Sequence, residues 1–248
     1  MDLGLKNKIT FITGGSGIIG SALARVFAAE GARVALTYHA NEVRAKELAE
    51  EIGGTAVHYD LGDPASINAA VEGVVTAWGR LDVLVANAAL MRRPVPGRAF
   101  EDIPVEEWTQ ALRVNLEGTF HTVQAALPVM KAGGWGRIVF LSSDGIRVGM
   151  VGREEFAAGK AALEGFSRSL AAEVGRSGVL SNVVAPGGTM PEEQAELLAA
   201  NPMAAKMLDR TATGRFSSPS DVANAVAFLA SAANGNITGA VVPVSGGM

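Results

Sequence analysis

The chain has no cysteine and only three histidines among its 248 residues. Disulfides and thiolate-bound metals are therefore excluded, and the histidines stand too far apart in sequence for the usual spacing of a zinc site. We predict no metal ligands. Lysine and arginine form no long run and the net charge is −4, so the basic surface of a nucleic-acid-binding protein is missing as well.

Long apolar runs are also absent. No stretch reaches the roughly 20 apolar residues that a membrane-spanning helix needs. The polar residues Asp2, Lys6 and Lys8 precede the first apolar segment. We expect a cytoplasmic protein with no membrane partner. A small molecule is then the expected partner.

The sequence does contain short β-branched runs that alternate with longer helical segments rich in Ala, Leu and Glu. This alternation is typical of βαβ units, in which helices cover both faces of a parallel sheet. We predict one α/β domain over residues 1–248, with a Rossmann-type, doubly wound parallel sheet of about seven strands. The predicted strands centre on Ile9–Thr13, Arg33–Thr37, Ala56–Tyr59, Val83–Ala86, Arg137–Ser142, Ser181–Ala185 and Ala240–Val244. A stretch rich in Glu, Ala and Met at 187–214 is predicted as a substrate lid.

The first predicted strand is followed by the glycine-rich segment TGGSGIIG at residues 13–20, which opens a helix. Glycines here let the backbone turn tightly and approach a pyrophosphate, while the helix N-terminus supplies N–H donors. Ordinary strand-to-helix turns have similar patterns, but a position in the first βα unit favours a dinucleotide site. We predict cofactor contacts from Gly14, Ser16, Gly17 and Ile19.

The end of the second strand indicates which dinucleotide binds. An acidic residue there hydrogen-bonds the ribose 2′-hydroxyl of NAD and repels a 2′-phosphate, and this chain has Tyr38 instead. Thr37, His39, Asn41 and Arg44 are available as donors to a phosphate. We therefore predict NADP, with NAD less favoured. The alternative that Tyr38 and His39 are only the polar end of a strand stays equally open.

Two more segments follow the third and fourth strands. Asp60, followed by Leu61, is suited to accept a hydrogen bond from an adenine amino group, although an aspartate in this position more often caps a helix. Asn87 is followed by the small Ala88, which lets the chain pass close to a ribose. We predict cofactor contacts at all four positions.

Several polar residues also fall in one register. Asn115 lies in the segment VNLEG, Ser143 follows a serine at the end of the fifth strand, and Lys160 lies on the next helix. Together with the glycine-rich turn, they resemble the short-chain dehydrogenase/reductase family over essentially the full chain. The resemblance implies that these three residues are catalytic.

The same resemblance implies a turn that faces the nicotinamide after the sixth strand. Here that turn is Pro186-Gly187, with Thr189 close behind it. We predict that all three contact the cofactor.

Phe156 departs from the family pattern. The family places a tyrosine thirteen residues after the serine and four before the lysine, and Phe156 stands at that spacing from Ser143 and Lys160. The resemblance implies that the serine polarises a carbonyl, the tyrosine transfers its proton, the lysine lowers the tyrosine pKa and holds the ribose, and the asparagine holds a water. A phenyl ring has no proton to transfer. The only tyrosines, Tyr38 and Tyr59, are expected on the adenosine side of the cofactor.

Phe156 is either a natural change with an altered proton donor or an engineered inactivation, and the sequence leaves both open. The candidate replacements for the tyrosine are Ser143, Asp144, Glu154, Glu155 and a water held near Asn115 and Lys160.

The resulting hypothesis is an NADP(H)-dependent oxidoreductase acting on a carbonyl/alcohol pair of a small organic substrate. A non-redox isomerase, cyclase or dehydratase on the same scaffold and a cofactor-sensing binding protein are the alternatives. Arg92, Arg93, Arg147 and Arg153 hint at an acidic or phenolic group on the substrate, although solvated surface arginines are commoner. Helix faces rich in Ala and Gly predict a homodimer or homotetramer.

Overall fold

The computed structural model describes residues 1–191, 193–194 and 202–248. Seven strands form one sheet in the order β3-β2-β1-β4-β5-β6-β7, and every neighbouring pair is parallel. The strands are β1 Ile9–Ile12, β2 Arg33–Tyr38, β3 Thr55–His58, β4 Val83–Ala86, β5 Gly136–Leu141, β6 Val179–Pro186 and β7 Val241–Val244. The predicted α/β fold with a doubly wound parallel sheet is confirmed.

Helices connect the strands on both faces of the sheet. Within the described residues, the α-helices are α1 Ile18–Ala29, α2 Glu42–Ile52, α3 Pro64–Trp78, α4 Val105–Leu112, α5 Gly118–Ala132, α6 Gly145–Val148, α7 Glu154–Val174, α8 Pro202–Leu208 and α9 Pro219–Leu229. A π-helical segment, Arg113–Glu117, joins α4 to α5, and short 3₁₀ turns cover Phe100–Asp102 and Gly175–Ser177.

The central strands are buried on both faces, which explains their continuous apolar sequences. All residues of β1, β4, β5 and β6 are buried. One apolar layer under the helices contains Phe11 and Phe140, and the opposite layer contains Ile12 and Val139. Successive residues of a strand point to opposite faces, so each strand contributes to both layers.

The strand positions follow the sequence closely. The bounds of β4 are those predicted, whereas β6 is three residues longer, from Val179 to Pro186, because its first residue pairs with Gly136 at the start of β5. Side-chain caps also mark the starts of two helices. Asp63 accepts a hydrogen bond of 2.9 Å from the amide of Ala65, and Ser218 forms a reciprocal capping box at the start of α9.

The predicted lid at 187–214 is only partly described, because residues 192 and 195–201 lie outside the described residues. Its first residues pair with a neighbouring segment through a bridge between Thr189 and Ser217, and its end contains α8. Whether the stretch closes over a substrate stays a prediction. Within the described ranges, no helix is long and apolar enough to cross a membrane.

Candidate active site

A cleft of about 1240 Å³ lies at the carboxyl edge of the sheet, where ligands bind in open α/β folds. The strand order reverses its direction between β1 and β4, so the loops that follow these strands diverge and open a crevice. The cleft brings together every predicted cofactor contact and three predicted catalytic positions: Gly14, Ser16, Gly17, Ile19, Thr37, Tyr38, His39, Asp60, Leu61, Asn87, Ala88, Ser143, Phe156, Lys160, Pro186, Gly187 and Thr189. Asn115 is not among its lining residues.

The glycine-rich turn has the geometry of an anion cradle. Gly14 has a φ of +65°, which favours glycine, and a Cβ on Gly20 would collide with the Gly14 carbonyl oxygen. Gly17 is the N-cap residue of α1 and has no side chain to cap the helix, and the first turn of α1 contains no acidic residue. The unpaired N–H groups and the positive end of the helix therefore remain available to a phosphate. These residues fit the pyrophosphate of a dinucleotide.

Side-chain hydrogen bonds hold this turn against β4. The hydroxyl oxygen of Thr13 accepts hydrogen bonds of 2.9 Å from the amides of Asn87 and Ala88, and the Asn87 side-chain amide donates to the Thr13 carbonyl at 2.9 Å. The Thr37 hydroxyl oxygen accepts a hydrogen bond of 2.9 Å from the Gly14 amide. Thr37 is fully buried, so its contribution at the cleft is to position the glycine turn.

Two carboxylates, those of Asp60 and Glu42, lie close to the ends of β3 and β2. Asp60 accepts a hydrogen bond of 2.8 Å from the Gly62 amide, and its other oxygen lies 3.5 Å from Nε2 of His39. Burial and a hydrogen bond to Glu42 raise the pKa of the Tyr38 phenol. Glu42 also forms an ion pair of 2.7 Å with Lys46. Sequence reasoning missed Glu42, although its position at the start of α2, four residues after the end of β2, was a usable signal.

Lys160 and Phe156 lie on one face of α7 at the opposite end of the cleft. Lys160 is 5% exposed, and its Nζ donates a hydrogen bond of 2.6 Å to the carbonyl oxygen of Leu141 at the end of β5. The same nitrogen lies 5.5 Å from the centre of the Phe156 ring. Burial lowers the pKa of Lys160 to about 8, because the surrounding protein solvates an ammonium ion poorly.

Ser143 follows β5 and reaches the cleft beside Lys160. Its Oγ lies 3.9 Å from the sulfur of Met150, a weak acceptor, so the hydroxyl is free to bind a better one. The hydroxyl of the preceding Ser142 has a different partner. It donates a hydrogen bond of 2.8 Å to Glu164, one helical turn beyond Lys160 on α7.

The Asn115 side chain holds a loop. It accepts a hydrogen bond of 2.7 Å from the Leu90 amide and donates one of 2.8 Å to the Leu90 carbonyl. Asn115 lies in the π-helical segment, and its own carbonyl accepts a hydrogen bond of 2.7 Å from the Thr119 hydroxyl. Its side chain therefore fixes the loop that follows β4 and borders the cleft. No local pattern indicates the Leu90 contact, because the two residues are 25 positions apart.

The other candidate proton donors and the second tyrosine lie away from the reacting end. Asp144, Glu154 and Glu155 are not among the residues that line the cleft. Asp144 is buried, with one carboxylate oxygen 3.8 Å from Arg147, and Glu154 accepts a hydrogen bond from the Gly152 amide. Tyr59 borders the cleft beside Asp60 but is buried, and its hydroxyl shares a hydrogen bond of 2.6 Å with Thr122.

The four arginines that were candidates for substrate binding lie in different surroundings. Arg92 pairs with Glu107 at 3.1 Å, Arg93 is exposed, and Arg147 is the neighbour of Asp144. Arg153 lines the cleft, and its guanidinium contacts the sulfur of Met91. In the described part of the chain, no carboxylate lies within ion-pair distance of Arg153, and no three His, Asp or Glu residues cluster as metal ligands.

Comparison with known proteins agrees with this geometry. The family described as enoyl-(acyl carrier protein) reductase matches residues 15–248. The 3-oxoacyl-[acyl-carrier-protein] reductase FabG of Aquifex aeolicus (strain VF5) is 37% identical over 254 residues, which cover 100% of both chains. The FabG of Escherichia coli (strain K12) is 36% identical over 248 residues, 99% of each chain.

Solved structures match equally well. A dehydrogenase/reductase from Sinorhizobium meliloti 1021 has a TM-score of 0.88 at 34% identity and covers 99% of this chain and 96% of its own. The blue fluorescent protein from a metagenomic library, solved in complex with NADPH, has a TM-score of 0.88 at 32% identity and covers 98% of each chain. The chain therefore belongs to the short-chain dehydrogenase/reductase family and is an oxidoreductase of that family.

Proposed function

We propose that this protein is an NADP(H)-dependent reductase or dehydrogenase of a carbonyl/alcohol pair on a small organic substrate. The observation that carries this proposal is a single cleft with the glycine turn at one end and Ser143 beside Lys160 at the other. A dinucleotide whose pyrophosphate bound at the N-terminus of α1 would extend across the crevice towards these two residues. Pro186 and Gly187 would then border its nicotinamide.

The proposed chemistry divides between the cofactor and the chain. A bound reduced nicotinamide supplies the hydride. Ser143 donates a hydrogen bond to the substrate carbonyl and stabilises the charge that develops on its oxygen. Phe156 takes the position of the family's tyrosine and supplies only the shape and apolar surface of the ring, so the protein needs a different proton donor.

NADP(H) is favoured over NAD(H) for two reasons. Tyr38 stands where an acidic residue would bind the 2′-hydroxyl of NAD, and one structural relative was solved with NADPH. Glu42 opposes this preference, but its ion pair with Lys46 neutralises much of its charge. Coenzyme preference is therefore expected to be modest.

Three methionines of the cleft and the names of two similar proteins support a proposal for the substrate class. Met91, Met150 and Met207 line the cleft and suit a flexible apolar chain, because methionine adapts to varied shapes. The two curated relatives are named as 3-oxoacyl-[acyl-carrier-protein] reductases. We propose a 3-oxo ester or thioester as the first substrate to test.

Phe156→Tyr tests this function. Ser143 and Lys160 line the same cleft as the ring, so the added hydroxyl should give NADPH-dependent reduction of ethyl 3-oxobutanoate, with a gain of up to about 10⁴ over a chain that has no other proton donor. The consumption of NADPH measures the rate, and Phe156→Leu is the matched control without a hydroxyl. If the tyrosine variant binds NADPH but reduces no ketone in a broad panel, the redox proposal fails.

The lack of a ring hydroxyl at residue 156 favours a second class of candidate functions. An isomerase, cyclase or dehydratase, or a cofactor-sensing binding protein, needs no tyrosine proton on this scaffold. These alternatives predict that Phe156→Tyr leaves ketone reduction undetectable. Tight NADPH binding without turnover in either form would favour the binding protein.

A further inference from the structure

Proton delivery is the one step for which this chain lacks the family's group. The carboxylates near the site do not fill the gap, because Asp144, Glu154 and Glu155 are not among the lining residues of the cleft. Ser143 reaches the cleft, but a serine hydroxyl is a very weak acid and would need a proton source behind it. The replacement must therefore be a titratable group that lines the cleft beside Phe156.

Lys160 meets both conditions. Its ammonium group carries three N–H donors, and one of them is used by the Leu141 carbonyl at 2.6 Å. The nearest ring, Phe156, offers only a π face 5.5 Å away and accepts no conventional hydrogen bond. Two donors of Lys160 therefore remain, one for the cofactor ribose that the family resemblance implies and one for the substrate oxygen.

We propose that Lys160 is itself the proton donor of this protein, acting on the substrate oxygen directly or through one water held over the Phe156 ring. This inference rests on the proposed redox function. In reduction, hydride from NADPH forms the new C–H bond, the carbonyl π electrons move to oxygen, and that oxygen takes a proton from Lys160. The products are the alcohol, NADP⁺ and the neutral amine, which regains its proton from water.

The surroundings of Lys160 suit this role. Among the charged side chains on the neighbouring elements, Glu164 of α7 accepts a hydrogen bond from Ser142, and Arg113 of the π-helical segment pairs with Glu117. Asp144 after β5 lies 3.8 Å from Arg147, and its buried Oδ1 accepts no hydrogen bond within the described residues. Arg153, which lines the cleft, adds a positive charge on the same side. Burial, rather than a neighbouring charge, lowers the pKa of Lys160 to about 8. A donor with a pKa near the working pH is both protonated and able to release its proton.

The first measurement is the pH dependence of ethyl 3-oxobutanoate reduction by the unmodified full-length chain at saturating NADPH. We expect kcat to fall tenfold per pH unit above about pH 8, as the donor loses its proton. NMR of protein labelled with ¹⁵N-lysine should show Lys160 titrating at the same pH. Lys160→Arg should lower kcat throughout the range and remove the descending limb, because arginine stays protonated and releases its proton poorly.

Chemical rescue separates proton transfer from ribose binding. Lys160→Ala should lower kcat by at least about 100-fold. Added primary amines should restore it, to an extent that depends on the pKa of the amine. A residue that only holds the cofactor would change the Kd of NADPH without such a dependence. Lys131→Ala is the control, because Lys131 is exposed at the end of α5.

Three outcomes overturn the proposal. They are a kcat of Lys160→Ala within tenfold of the unmodified value, a rescue independent of amine pKa, and turnover by Phe156→Tyr with none by the unmodified chain. The third outcome removes Lys160 as donor but leaves the redox function standing. Failure of both proteins to bind NADPH, measured by fluorescence titration, would instead remove the proposed function.

Discussion

The Nζ of Lys160 lies 5.5 Å from the centre of the Phe156 ring, one helical turn away on α7. The pair is buried, and the ammonium group has a single strong acceptor, the Leu141 carbonyl. A cation over an aromatic face gains some electrostatic stabilisation, but less than it loses by leaving water. The charged form of Lys160 therefore destabilises the fold.

This cost predicts a pH-dependent stability. The pKa of Lys160 is lowered from 10.5 to about 8 by burial, so between these values the unfolded chain binds more protons than the folded one. Stability contributed by this residue should rise from about pH 8 to about pH 10.5, by about 3 kcal/mol in total. The measurement is the difference in the free energy of unfolding between the unmodified chain and Lys160→Met across this range. A constant difference would contradict the prediction.

Coenzyme preference should respond to the residue at the end of β2. Tyr38→Asp places a carboxylate where it accepts a hydrogen bond from the 2′-hydroxyl of NADH and repels the 2′-phosphate of NADPH. The ratio of the two Kd values should shift towards NADH by about tenfold or more, the effect of one charged hydrogen bond. Fluorescence titration gives both constants, and Tyr38→Phe serves as the control for loss of the phenol. Tighter NADH binding by the unmodified chain would refute our coenzyme assignment.

Arg153 should favour substrates that carry a carboxylate. It lines the cleft without an acidic partner among the described residues, whereas Arg93 is exposed and does not line the cleft. Arg153→Gln, made in the Phe156→Tyr background, should lower kcat/KM for 4-oxopentanoate by about tenfold and leave 4-oxopentanamide nearly unchanged. Arg93→Gln is the matched control. Equal losses for the acid and the amide would show that Arg153 does not bind the anionic group.

Assembly should depend on an exposed face of α7. Ala161 and Gly165 are exposed on this helix, and a Cβ on Gly165 would meet nothing within 4 Å, so a larger side chain fits the single chain. Gly165→Arg should convert a homodimer or homotetramer to smaller species without loss of secondary structure. Light scattering and circular dichroism measure the two effects. Gly73→Arg is the control, because Gly73 is an exposed helical glycine of α3 with equal free space. A monomeric unmodified chain at micromolar concentration would refute the prediction.

The fold was largely predictable because strand sequences reflect burial on both faces. Apolar runs such as Val83–Ala86 are typical of the central strands of a parallel sheet, and the caps Asp63 and Ser218 mark helix starts by local hydrogen bonds. The positions of the site residues were also predictable, because the carboxyl ends of parallel strands meet at one edge.

The interactions of those residues were less predictable, because they depend on distant backbone groups. Thr37 was expected as a donor to phosphate, but its hydroxyl oxygen receives the Gly14 amide, 23 residues away. Asn115 was expected beside a water, but the Leu90 backbone uses its amide. Likewise, only the folded surroundings distinguish Arg153 in the cleft from Arg92 in its ion pair with Glu107. Pattern and spacing locate a side chain without specifying its partner.

The hydrogen bonds between Thr13 and Asn87 have a consequence for the thermodynamics of cofactor binding. They join the loops after β1 and β4 using groups of the chain alone, so the crevice keeps its width before any ligand arrives. A ligand that enters a preformed crevice loses its own freedom of motion but does not have to order the loops around it. A larger share of the free energy of the contacts between ligand and protein then contributes to the binding affinity. The entropy lost in ordering these loops is lost when the chain folds. In mutants with weaker contacts between Thr13 and Asn87, the loops would be ordered only when the cofactor binds, and the same entropy loss would weaken binding.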